Sequence, residues 1–525
     1  MNRHLPVFAA FTLFVAACSS YDSDDSASQS ADIKVMEEVH VSSARMRRPE
    51  LAEPVIEPGR VITTSPEPER EKYQELKQRQ VKLVREEPVS TFALDVDTGG
   101  YSNVRRILSA GQLPPTDAVR VEELINYFNY DFATSKKLDQ YTEEKDFSVH
   151  FGLSMAPWDK ERTLFSIGIK ARDLPMAEVP PVNLVFLIDT SGSMAQPNKL
   201  PLLQQAYRLL AKQLRAQDSV SIVTYAGSAG IVLEPTPGDQ KAKILQAIGR
   251  LQAGGSTNGA GGIELAYSVA NQAYKKGGVN RILLATDGDF NVGISDVDTL
   301  KQRIERGRKS GVQFSTLGFG MGNYHEELVE QISNVGDGSY AYIDTIYEAN
   351  RVLVEQLAGT LFTVAKDAKV QVEFNPAQVL EYRLLGYENR RLNREDFNND
   401  AKDSGDIGAG HSVVALYELT LADDTPRIDP LRYGDSSPQA QQDSQESEFA
   451  TVKVRYKKPG QGSSSLEEWN LQPQMASLDQ ASPDLRFATA VAGFGLLLKN
   501  EPLSNFGYDE VVAIAQMARG EDING

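Results

Sequence analysis

Between residues 182 and 362, short and almost wholly apolar runs alternate with longer stretches whose apolar positions recur every three or four residues. The short runs, at 184–188, 220–225, 282–286 and 314–319, predict strands covered on both faces. The longer stretches, at 200–214, 241–251, 262–274, 297–309 and 324–335, predict amphipathic helices. Strands and helices in alternation with glycine-rich joins predict an α/β domain: a doubly wound, mostly parallel, Rossmann-like sheet with helices on both faces.

The flanks have a different texture. Residues 73–85 are polar and helix-compatible, 91–97 alternate as a half-buried strand does, and 101–108 and 117–127 predict two helices broken at Leu113-Pro114-Pro115. Segments 147–153 and 163–169 alternate around a turn-rich stretch with Pro157 and Asp159, which predicts a hairpin with a long loop. After residue 362 the α/β alternation stops. Segments 369–374, 380–385, 412–421 and 451–456 predict strands, 426–448 a polar mobile insertion, and 485–498 and 509–517 terminal helices. An isolated hairpin is marginal in water, and so is a sheet with too few strands. The 147–169 hairpin is therefore expected to join the strands after 369, leaving the α/β domain inserted into a split β-rich domain.

The N-terminus reads differently again. Arg3, an apolar run over 5–17 and the small residues Ala16 and Ala17 precede Cys18, the order of a secretory signal, and the run is too short to span a membrane. Residues 15–18, Val-Ala-Ala-Cys, resemble a bacterial lipobox, which implies lipidation of Cys18 after cleavage. With Ser19 rather than Asp next to it, the pattern implies the outer membrane if the organism is diderm. Residues 18–72 are rich in Ser, Asp, Glu, Pro and Arg without an apolar period, so they predict a flexible stalk. About fifty such residues span roughly 40 Å. The expected organisation is a signal peptide at 1–17, a lipoprotein stalk at 18–72, an N-terminal segment at 73–180, the α/β domain at 181–362 and a β-rich domain with terminal helices at 363–525.

A formal charge of −18 over 525 residues argues against nucleic acid as partner, because neutralising phosphates needs a basic surface. Cys18 is the only cysteine, so no internal disulfide is available to an exported chain.

The candidate chemistry lies at the ends of the predicted strands. The 184–188 run ends in Asp189-Thr190-Ser191-Gly192-Ser193, the 282–286 run delivers Asp287-Gly288-Asp289, and Gly254-Gly255-Ser256-Thr257 precedes a helix. In an open parallel sheet, ligands bind beyond the carboxyl ends of the strands at a topological switch point. Two carboxylates and three hydroxyls are five hard oxygens of the kind an octahedral Mg2+ accepts, leaving one position open.

Asp189-x-Ser191-x-Ser193, Thr257 and Asp287, in that order, resemble the metal-ion-dependent adhesion site of von Willebrand factor type A domains. The resemblance implies that the two serines and the threonine contact the metal, that the aspartates do so directly or through water, and that a carboxylate of a bound protein fills the sixth position. The flanks are similar to those of bacterial lipoprotein-like members of that family: residues 92–98, 101–106 and 120–127 on one side, and a C-terminal domain of unknown function from Ala365 onward on the other. Further helical sequence beyond Gly525 is expected from this likeness.

Other constellations are weaker. Asp95 and Asp97 would share one face of a strand, yet no further ligand is adjacent, so a structural role is expected. The five histidines form no HExxH, and there is neither a GxxxxGK[ST] loop nor a GxSxG elbow. The leading expectation is a non-enzymatic, lipid-anchored envelope protein that binds an acidic side chain of a protein partner through Mg2+, with Mn2+ or Ca2+ as alternatives. Its rivals are a scaffold with a purely structural metal and a metal-assisted hydrolase using Asp289 as base.

Overall fold

Every residue of the Val182–Asp189 strand is out of water, as its apolar run requires. The computed structural model describes residues 73, 80–94, 97–130, 132, 145–255, 259–288, 297–320, 326–400, 402, 404–429 and 448–520. Cys18, the signal segment, nearly all of the stalk, Asp95, Thr257, Asp289 and most of the 426–448 insertion lie outside the described residues.

Val182–Asp189 pairs in parallel with Ser219–Tyr225 on one side and Val279–Thr286 on the other. Gln313–Phe319 and then Tyr340–Ile343 extend the sheet in parallel beyond Val279–Thr286, and Ala229–Pro237 closes the opposite edge as the antiparallel arm of a hairpin. Side chains alternate across this sheet. Leu184, Phe186 and Ile188 enter one core with the helix Leu200–Gln213, where Phe186 stacks on Tyr207 at 4.1 Å. Val185 and Leu187 enter the other, with the helices Gly259–Gln272, Val297–Arg308 and Glu326–Val335. Two covered faces make the sheet doubly wound.

The hairpin Phe147–Ala156 and Asp159–Ala171 turns at Pro157 and Trp158, so the expected long loop is replaced by a tight one with longer strands. Asp159–Ala171 pairs antiparallel with Ser412–Leu421, which also pairs with Val379–Leu385. A second sheet built on Thr363–Phe374, Ala450–Lys457 and Ser464–Leu471 packs over the first through Phe165, Val370, Phe374, Tyr417 and Val452. The chain leaves this sandwich after Asp159–Ala171 and returns at Thr363–Phe374, so the α/β domain is inserted into it.

Val89–Ala93 joins the second sheet, shorter than the expected 91–97 strand. Residues 73–85 are not a helix where they are described: Lys82–Leu83 pairs with Tyr382 and Glu381 as an edge strand. A polar stretch without an apolar stripe gains nothing by coiling, but its backbone groups gain partners at a sheet edge.

The helices Gly99–Ser109, Val121–Asn126 and Pro483–Leu498 cover the outer face of the first sheet through Val104, Leu124, Leu485 and Leu496. They also hold the α/β domain. The Arg105 guanidinium donates twice to Asp344 (2.8 and 2.6 Å) and once to Glu348 (3.0 Å). The Tyr127 hydroxyl donates to Glu348 Oε2 at 2.5 Å, and Arg351 lies 4.0 Å over the Tyr127 ring.

Candidate functional site

The switch point of the α/β sheet falls between Val182–Asp189 and Val279–Thr286, because the chain continues from the first of these strands to one side of the sheet and later crosses to the other. The first strand ends there in a carboxylate, Asp189, and the second is followed directly by one, Asp287. Ile188 is in register with Ala285, which sets Asp189 and Asp287 at the same end of adjacent strands. Both are almost fully buried, at 0% and 2% exposure.

Beyond Asp189 the backbone turns back on itself. The Ser191 amide donates to Asp189 Oδ1 at 2.8 Å, and Ser191 Oγ and Ser193 Oγ lie 3.0 Å apart. Two backbone bonds tie this turn to the glycine loop that leads to Thr257: Gly192 N donates to Gly255 O (3.0 Å) and Gly254 N to Thr190 O (2.8 Å). Gly255 has φ of +87° and Gly288, next to Asp287, has +82°, a region other residues seldom adopt. Four of the five sequence-derived positions therefore converge on one end of the sheet, and the loop carrying the fifth is stitched to them.

The electrostatics favour a cation. Burial, together with the charge of Asp287, pushes the Asp189 carboxyl up to about 6 despite its bonds from Ser191. Asp189 Oδ2 is buried outside the bond from the Ser191 amide, with the buried Tyr225 hydroxyl as a side-chain neighbour of the carboxylate. Burying a charged oxygen with so few donors is costly, and the hydroxyl-rich surroundings would admit a metal ion. Among the described residues no three His, Cys, Asp or Glu side chains are placed to hold a metal ion, so an ion here would depend on the serine and threonine oxygens as well as the two carboxylates.

Two residues at this end of the sheet were not anticipated from sequence. Lys199, only 4% exposed, donates from Nζ to Asp287 Oδ2 at 2.8 Å. Tyr225 ends the neighbouring strand fully buried, its hydroxyl held well above the usual range by burial and by the Asp189 charge. Neither the lysine nor the tyrosine belongs to a spacing pattern that could have singled it out. Asp97 is taken by Arg390 (2.5 Å), in keeping with a structural role. The described histidines, His150 and His411, belong to the β-sandwich region, where His150 stacks on Phe132 and His411 adjoins Gly359.

A family profile described as von Willebrand factor type A domain matches residues 184–289, one described as von Willebrand factor matches 67–166, and one described as the C-terminal part of the uncharacterized protein YfbK matches 359–525. The uncharacterized protein YfbK of Escherichia coli (strain K12) is 48% identical over 456 residues, which cover 86% of this chain and 79% of that protein. The uncharacterized protein sll0103 of Synechocystis is 31% identical over 195 residues, 37% of this chain and 44% of that one. Among solved structures, a von Willebrand factor type A protein from Catenulispora acidiphila aligns with a TM-score of 0.39 at 15% identity, covering 65% of this chain and 76% of its own.

Proposed function

The chain belongs to the bacterial family of von Willebrand factor type A domain proteins that includes YfbK of Escherichia coli, and from that premise we propose that its α/β domain is a non-enzymatic, metal-dependent protein-binding module. Asp189, Ser191, Ser193, Thr257 and Asp287 would hold Mg2+, and the position they leave open would take an acidic side chain of a partner protein. The observation that carries this reading is the gathering at the switch point of two buried carboxylates, Asp189 and Asp287, with two serine hydroxyls 3.0 Å apart on the turn that follows Asp189.

A metal serving only to tie the loops together is less well supported, because Gly192 N to Gly255 O and Gly254 N to Thr190 O already tie two of them through the backbone. Partner capture with and without EDTA separates the two readings. A purely structural role leaves capture intact as long as the fold survives, and a ligand-bridging ion does not. The non-enzymatic reading is supported by membership of a family of von Willebrand factor type A domain proteins, and hydrolytic activity of purified wild type that is lost in Asp287→Ala would overturn it. Isothermal titration of wild type and Asp189→Ala with Mg2+ or Mn2+ tests the metal assignment; one-site binding by wild type alone is expected, and equal binding by both proteins defeats it.

The second part of the proposal is location. The Val-Ala-Ala-Cys segment at 15–18 and the Ser/Asp-rich stretch that follows support a chain exported and lipid-anchored at Cys18, reaching into the envelope on its stalk.

A further inference from the structure

Lys199 stands just before the helix Leu200–Gln213, at the end of the turn that carries Ser191 and Ser193. Lysine is almost never fully buried unless it is paired. Here the pair is Asp287, with the two side chains 5% and 1% exposed. The seat is built from a second direction too. Gly320, with φ of +86°, follows the Gln313–Phe319 strand, and a side chain at that position would collide with Cε, Cγ and Cδ of the lysine stem. The ammonium is thus held against one carboxylate oxygen of a residue assigned to the metal.

The consequence is a matter of charge. Asp189 and Asp287 alone would balance a divalent cation and leave the loaded site neutral. With the Lys199 ammonium in contact, the two carboxylates amount to one net negative charge, and loading leaves one positive charge unbalanced among the described residues, in a water-poor setting. Such a charge is strongly felt where the effective dielectric is low. An uncharged ligand at the open position does nothing to relieve it, whereas a carboxylate neutralises it.

We infer that Lys199 is the specificity-determining residue of this site: it weakens the hold on the metal itself and makes the loaded site select an anionic ligand over its neutral isostere. This rests on the metal-site reading above. A lysine that merely satisfies Asp287 in the folded protein would have a different signature, since its removal would loosen the site and weaken metal and ligand binding together.

The test uses the full chain as wild type, Lys199→Met and Lys199→Gln, the last keeping an N–H donor while removing the charge. Each is titrated with Mn2+ by calorimetry at pH 7.5. The Mn2+-saturated proteins are then titrated with a blocked tripeptide bearing one aspartate and with its asparagine counterpart. Circular dichroism and thermal melting establish which variants fold, and Lys199→Gln is read alone if Lys199→Met does not. In a folded variant Mn2+ affinity is expected to rise at least tenfold, and the preference for the aspartyl over the asparaginyl peptide to fall at least tenfold. Metal and peptide affinities that fall together, or that match wild type, overturn the inference. Wild type that takes up no Mn2+ overturns the metal site and the role of Lys199 with it. Uptake that is the same in wild type and variants overturns the role of Lys199 alone.

Discussion

Replacing Asp189 by asparagine is expected to make the metal-free protein more stable while abolishing its response to metal. Burial raises the folded-state pKa of Asp189 from 3.8 to about 6. For a carboxyl raised in this way, its contribution to stability is fully present below pH 3.8 and is lost as pH rises through about 6, so at pH 7.5 the whole penalty is expressed. Two pH units correspond to about 3 kcal/mol. Asparagine keeps the oxygen that accepts from the Ser191 amide at 2.8 Å. Its amide nitrogen, taking the place of a buried carboxylate oxygen beside the Tyr225 hydroxyl, costs about 1–2 kcal/mol of that gain. The net gain is about 1–2 kcal/mol, a rise in melting temperature of roughly 2–8 °C at about 2–4 °C per kcal/mol. Wild type should recover more than this on loading, since a ligand at a hundred times its Kd stabilises by about 2.7 kcal/mol. Differential scanning fluorimetry at pH 7.5, in EDTA and in saturating Mg2+, reads both effects. A variant that melts below wild type in EDTA would show that the buried Asp189 charge does not destabilise the metal-free protein, and one that gains as much from Mg2+ would show that Asp189 does not hold the ion.

Protons should compete with the ion, because burial holds Asp189 near 6: Mn2+ affinity measured by calorimetry is expected to be level above pH 7 and to fall roughly tenfold per unit below pH 6, and a level profile down to pH 5 contradicts this. Arg105→Gln should destabilise the protein by roughly 2–3 kcal/mol in urea at pH 7, since Glu348 is 1% exposed and loses one of its two guanidinium partners. Although burial pushes the Glu348 carboxyl up, Arg351, Tyr127 and Arg105 hold it below 4.5. Its stabilising contribution is therefore present above pH 4.5 and lost as pH falls through the folded value, so the gap between variant and wild type should narrow in acid; a constant gap argues against the ion pair. Cys18→Ala is expected to abolish sedimentation with membranes and leave Mn2+ binding by the purified protein unchanged, and a variant that still fractionates with membranes excludes lipid anchoring through that residue.

The inner strands of the α/β sheet were legible because both of their faces are covered, which leaves almost no polar position in runs such as 184–188. That Asp189, Ser191, Ser193 and Asp287 share one end of the sheet was legible for a related reason, since hard oxygen donors directly after an apolar run mark the end of a buried strand. Edges were harder to read. Ala229–Pro237 contains two prolines and leaves Ile231 and Val232 exposed, so nothing in its pattern alternates as a half-buried strand should. Ser464–Leu471 inverts the usual code: Leu466 faces water, while Glu467 is buried and accepts from the Tyr456 hydroxyl (2.7 Å) and the Asp146 amide (3.1 Å). The paired position, not the hydropathy of the residue, decides that register. Lys199 was out of reach of any local rule, because its burial depends on Asp287 and Gly320, 88 and 121 positions further along the chain.

The proposed site holds one divalent cation through Asp189, Ser191, Ser193, Thr257 and Asp287, with a position open to a partner's carboxylate. Anomalous diffraction from crystals of the full chain grown with Mn2+ tests it most directly. A single strong manganese peak is expected in contact with the hydroxyl oxygens of Ser191, Ser193 and Thr257, beside Asp189 and Asp287, and no such peak in Asp189→Asn. A peak elsewhere on the protein, or none at this end of the sheet in wild type, would contradict it.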